Sequence, residues 1–236
     1  VQRQPVGIAI SPDGSRVYVA NSFGNSVSVI DAATIAVIAT VADVQQPYGI
    51  AVSPDGSRVY VASRVGNSVQ VIDTVSNAVV GTIATSQPYG VVVSPDGATV
   101  YATNYISNSV SVIDVASGTV TGTFVGGFRG PVDVVITPDG DTLFVSNEGG
   151  SNAVRVIDVA TGTVIPVGGA SPSYGVAVSP DGSRTYVTNF NAGTMSVIDS
   201  ATGNVLYNVA VGAGPRGVAV SSDGRIVYVV NQNGNS

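Results

Sequence analysis

The 236-residue chain contains no cysteine, no histidine, no tryptophan and no lysine. Without cysteine there are no disulfides, thiol nucleophiles or thiolate metal sites. Without histidine the commonest general base and the commonest metal ligand are both missing. Charge is scarce too: charged residues make up 10% of the chain, against about 25% in an ordinary globular domain. All nine cations are arginine, most of them scattered, and the net charge is −6. That is not the basic footprint of a nucleic-acid binder. No apolar run reaches the roughly 18 residues that mark a membrane-spanning helix, and no N-x-S/T sequon occurs. The opening VQRQPVGIAI reads as mid-domain sequence, so a removed signal peptide is compatible with it. Little charge, no cysteine and many small polar residues lead to the expectation of an exported protein, whether extracellular, cell-surface or periplasmic.

What the chain does have is repetition. SPDGSRVYVAN (11–21) returns as SPDGSRVYVAS (53–63), SPDGATVYATN (94–104), TPDGDTLFVSN (137–147), SPDGSRTYVTN (179–189) and SSDGRIVYVVN (221–231). The turn aspartates Asp13, Asp55, Asp96, Asp139, Asp181 and Asp223 are spaced by 42, 41, 43, 42 and 42 residues. The aspartates ending V-I-D (Asp31, Asp73, Asp114, Asp158, Asp199) keep the same beat. Each unit reads as four short strands. In the third, GVVVS is apolar and β-branched, SPDG is a turn with proline presetting φ and glycine supplying positive φ, and TVYATN, SVSVID and TVTGTF follow. Four strands per unit of about 40–45 residues predict an all-β propeller. The predicted domain is 1–236, with repeats 5–46, 47–87, 88–130, 131–172 and 173–214 and a half repeat 215–236.

The recurring YVTN-type letters (Tyr186 to Asn189, with YVAN, YVAS, YATN, FVSN and YVVN elsewhere), the PYG approach and the SVSVID strand resemble the YVTN-repeat β-propeller family. The resemblance spans the chain. It implies kinship with cell-surface and S-layer proteins and, more distantly, with lactonase-type and amine-dehydrogenase-type propellers. The Trp-Asp signature of WD repeats is absent. The half repeat leaves its last strand an unpaired edge, which native sheets avoid. It therefore reads as part of a longer six- or seven-bladed ring. The alternative is a six-bladed ring whose edge another chain covers, with self-assembly through the incomplete blade.

Residues repeated in every unit read as structural. The PDG aspartate caps its turn, the V-I-D aspartate bonds the turn that follows, and the Ser-Arg after PDG is a solvated rim. Deviations carry more information. Asp133 stands where the other five repeats have glycine. Glu148, the only glutamate, follows Asn147, Arg129 precedes that approach, and Arg155 replaces a serine. Arg64 and Arg216 add cations. Phe23, Tyr48, Tyr89, Tyr105, Phe128, Tyr174 and Phe190 are expected on the same rim. Propeller ligands gather at such a mouth, so Arg129, Asp133, Glu148, Tyr48, Tyr89, Tyr105, Tyr174, Arg216 and Phe190 are the candidate binding residues. A plain surface ion-pair cluster of Asp133, Arg129 and Glu148 is the competing reading. Both carboxylates are expected to be exposed, so D133N with E148Q is expected to weaken binding at little cost in stability.

No residue is assigned a catalytic or metal-binding role, and no cofactor is expected. The expected function is a non-enzymatic interaction or structural module that binds a protein, glycan or envelope partner through one rim. A lactonase-like or lyase-type enzyme, and a redox-associated propeller supporting a cofactor domain, remain the alternatives.

Overall fold

The computed structural model describes residues 3–150, 154–167 and 172–234, and each repeat within them forms one antiparallel sheet. The first sheet is β1 (Pro5–Ile10), β2 (Arg16–Asn21), β3 (Ser26–Asp31) and β4 (Val37–Val41). The second is β5 (Pro47–Val52), β6 (Arg58–Ser63), β7 (Ser68–Asp73) and β8 (Ala78–Ala84). The third is β9 (Pro88–Val93), β10 (Thr99–Asn104), β11 (Ser109–Asp114) and β12 (Thr119–Val125). The fourth is β13 (Pro131–Ile136), β14 (Thr142–Asn147), β15 (Val154–Asp158) and β16 (Val164–Val167). The fifth is β17 (Ser173–Val178), β18 (Arg184–Asn189), β19 (Thr194–Asp199) and β20 (Val205–Ala210). Only β21 (Pro215–Val220) and β22 (Val227–Asn231) form the last, and among the described residues β22 pairs on one side alone. The chain divides into two compact units, Val1–Thr123 and Phe124–Ser236, the division falling in β12.

Within each unit, neighbouring sheets pack through small β-branched side chains. Val27 and Val29 of the first sheet share a buried cluster with Val59, Val61 and Ile72 of the second. Phe144, Val154 and Val156 of the fourth join Val176, Val187 and Ile198 of the fifth. These strands are covered on both faces, and so carry near-continuous apolar runs. The outermost strand of each sheet is mostly exposed, as in β4 and β20.

The repeated letters have physical jobs. The β1–β2 turn is closed by Gly14 N–H donating to the Ser11 carbonyl at 2.8 Å, with Gly14 at φ 72°. Asp13 Oδ1 accepts from Ser11 Oγ (2.6 Å) and Ser15 N (3.0 Å). These bonds favour the carboxylate and lower its pKa to about 2, as they do for Asp55 and Asp181. Asp31 accepts from Thr34 N at 2.8 Å, as the turn reading of V-I-D expects. The buried Asn104 donates to Ser109 Oγ (3.1 Å) and Ser111 Oγ (2.8 Å), and Asn189 does the same to Thr194 and Ser196. This explains why serine recurs in the otherwise apolar third strand.

The arginine after PDG differs from the expected solvated role. Arg58 and Arg184 lie opposite Asp73 and Asp199 in the strand register and pair with them, the latter at 3.4 Å. Arg16 reaches across to the Thr74 carbonyl of the second sheet. Strand pairing brings Arg58 and Arg184 to their acceptors, and packing between sheets brings Arg16 to its own.

Candidate functional site

The β-strand pairing puts two repeat positions side by side at one end of each sheet. The first is the middle residue of the P-x-G approach, which opens the first strand. The second is the residue just after the YVTN asparagine, which follows the second strand. Pro88 pairs with Asn104, so Tyr89 and Tyr105 flank one corner. In all six repeats the second position is held by one backbone bond. Ser22, Arg64, Tyr105, Glu148, Phe190 and Gln232 donate their N–H to the carbonyls of Gln4, Gln46, Gln87, Gly130, Pro172 and Gly214, at 2.9–3.2 Å. The backbone is constant while the side chain it presents changes every time. The approach position varies less, with tyrosine at 48, 89 and 174, valine at 6 and 132, and Arg216.

In the first unit these positions converge on Arg64. Its guanidinium carbon lies 5.5, 5.8 and 5.3 Å from the ring centroids of Tyr48, Tyr89 and Tyr105. Tyr48 and Tyr89 are 4.4 Å apart, and Tyr89 and Tyr105 5.9 Å. All five distances suit attraction between a cation and aromatic faces or between tilted rings. Beside the cluster, Val65 lines a groove of ≈ 430 Å³ with Ser22, Phe23, Asn25, Gln45 and Gln46.

In the second unit Arg216 lies 4.4 Å from the Tyr174 ring centroid and 5.5 Å from that of Phe190, the rings meeting edge to face at 5.2 Å. Glu148 Oε1 accepts from the Tyr174 hydroxyl at 2.7 Å. Tyr174, Phe190, Arg216 and Glu148 therefore do gather. Tyr48, Tyr89 and Tyr105 gather too, around Arg64, which joins the site as its centre.

Asp133 has a different job from the one its exposure was expected to allow. At Gly7, Gly49 and Gly175 glycine is needed because first strands of neighbouring sheets nearly touch. A Cβ on Gly7 would lie 2.1 Å from the Tyr48 carbonyl oxygen, and one on Gly175 2.2 Å from that of Arg216. In the fourth sheet the aspartate instead bridges the gap. Its Oδ2 accepts from Val176 N of the fifth sheet (3.1 Å) and its Oδ1 from Val134 N (3.0 Å). The residue is half-buried, and burial of its carboxylate raises the pKa to about 6 despite the two N–H donors. It is a strut between sheets rather than an exposed rim acid. Threonine and serine of the YVTN pattern bridge in parallel: Gly175 N donates to Thr188 Oγ1, which donates to the Arg216 carbonyl, both at 2.9 Å.

The remaining candidates fall elsewhere. Arg129 is exposed, its backbone N–H on Asn147 Oδ1 at 3.1 Å and its side chain against Gly149 and Gly150. Asp133 and Arg129 form no ion pair among the described residues. Arg155 donates twice to the Gly127 carbonyl, at 2.8 and 3.1 Å. Phe128, expected on the rim, is 4% exposed and belongs to the core. Phe23 is 63% exposed and lines the groove instead.

Comparison with known proteins identifies the fold. A family model described as "YNCE-like beta-propeller" matches residues 2–234. Among solved structures the chain is similar to Kuenenia stuttgartiensis hydrazine synthase, with 24% sequence identity and a TM-score of 0.70, over 98% of this chain and 94% of that one. At that identity the likeness is one of fold. No curated protein matches.

Proposed function

The chain belongs to the YNCE-like β-propeller family, and from that premise we propose that it is a non-catalytic binding module, acting outside the cytoplasm, that recognises a partner protein through the loop ends of its blades. One observation carries this reading. The residue after the YVTN asparagine differs in every repeat, while the hydrogen bond that presents it stays constant in all six. Arg64, Tyr105, Glu148 and Phe190 stand at equivalent, backbone-fixed places. Tyrosine, phenylalanine and arginine are also the residues enriched at protein interfaces and their hot spots.

The test is site-specific photo-crosslinking in the native cells. A photoreactive phenylalanine analogue at Phe23 or Phe190 is expected to give a discrete adduct, and one at Val75, at the opposite end of the second sheet, to give none. Adducts from Val75 alone, or no adduct from either loop-end position, would refute the reading.

A further inference from the structure

We propose that Arg64, seated on Tyr48, Tyr89 and Tyr105, receives an acidic side chain of the partner protein, and that the groove beside Val65 takes an apolar side chain next to it. This rests on the loop-end recognition reading above.

Arg64 differs from the arginines that the fold employs. Arg58 and Arg184 have aspartate partners, and Arg16 and Arg155 donate to carbonyls. Arg64 has neither a carboxylate within ion-pair distance nor a side-chain hydrogen bond among the described residues, although a guanidinium carries five N–H donors. Three ring faces hold it. The planar fork is therefore oriented before any ligand arrives, which lowers the entropy lost on pairing with a carboxylate. The second unit shows an acid in such a setting: Glu148 sits on the hydroxyl of the ring that carries Arg216. Around Arg64 the acid has to come from outside.

The groove narrows the class of partner. Phe23 and Val65 are 63% and 59% exposed and offer apolar walls. Its backbone groups already have partners: Arg64 N donates to the Gln46 carbonyl (3.1 Å), Val44 N to the Asn25 carbonyl (3.2 Å) and Gln46 N to the Asn25 side-chain Oδ1 (2.8 Å). An added strand would find few main-chain partners there, so recognition runs through side chains. The tyrosine faces are occupied by the guanidinium and by each other, which disfavours stacking of a sugar ring and favours an acidic peptide segment.

The test is selection of short linear peptides from a display library on the whole 236-residue chain. Selected peptides are expected to carry Asp or Glu beside an apolar residue. R64Q is expected to weaken the best peptide about tenfold or more, the loss typical of a charge-assisted pair. Changing the peptide acid to its amide should do the same, and combining the two changes should add little. R64K should fall between, while R184Q should leave binding unchanged. The peptide change leaves the protein untouched, so an unfolded R64Q cannot mimic the result. Peptides without acids, or additive losses in the cycle, would overturn the proposal. If such peptides still lose affinity in Y105S or F23S, loop-end recognition stands and the acid receptor falls. If no peptide is selected, or none responds to any loop-end variant, both fall. Arg64-dependent binding of oligogalacturonate with no peptide bound would overturn the protein assignment.

Discussion

Replacing Asp133 by asparagine should remove a pH dependence that the wild-type protein possesses. The Asp133 carboxyl titrates at about 6 in the folded chain, against 3.8 for an unperturbed aspartate, because its burial disfavours the charge. Between these values the folded state binds more protons than the unfolded state. Stability from this residue is therefore fully present below about pH 4 and is lost as pH rises through about 6. A shift of about two units corresponds to a ceiling of about 3 kcal/mol at 1.36 kcal/mol per unit. The residue keeps some exposed surface, so we expect about 1–3 kcal/mol, or about 3–10 °C in Tm for a chain of this length. Thermal melts of wild type and D133N at half-unit steps from pH 4 to 7 make the comparison. The wild type should lose stability across this window relative to the variant. Parallel profiles would refute the strut and the burial that defines it.

Three further outcomes follow from the same geometry. Gly175→Ala drives a Cβ to 2.2 Å from the Arg216 carbonyl oxygen, whereas Gly217→Ala meets nothing closer than 3.9 Å; urea titration should show a loss of about 3 kcal/mol or more for the first and under about 1 kcal/mol for the second. Asn104→Ala removes a buried side chain that donates to Ser109 and Ser111 and should cost about 2–3 kcal/mol in the same titration. The turn aspartates have lowered pKa values, with Asp13, Asp55 and Asp181 at about 2. Their stabilisation is present above about pH 4 and lost as pH falls through about 2. Circular dichroism should thus show the triple variant D13N/D55N/D181N less sensitive than wild type to acid between pH 4 and 2.

The 42-residue beat, the turn chemistry and the strand alternation were local properties, and they determined the four-stranded unit and its repetition without any tertiary information. The two varying positions were legible as well. They sit at fixed offsets from PxG and from the YVTN asparagine, and the tyrosines at 48, 89 and 174 stood out on that ground. Which residues meet was decided by packing between sheets. Asp133 looked like a rim acid because it broke a pattern, yet two first strands approach so closely there that the side chain must either be absent or reach across to Val176. Phe128 looked like a rim aromatic because of its insertion, yet the chain turns it inward. Arg64 was legible only as an added cation, and nothing in the sequence marked it as the centre of a cluster. Its environment is made of rings 16, 25 and 41 residues away along the chain, and only the stacking of the second sheet on the third brings all three beneath one guanidinium.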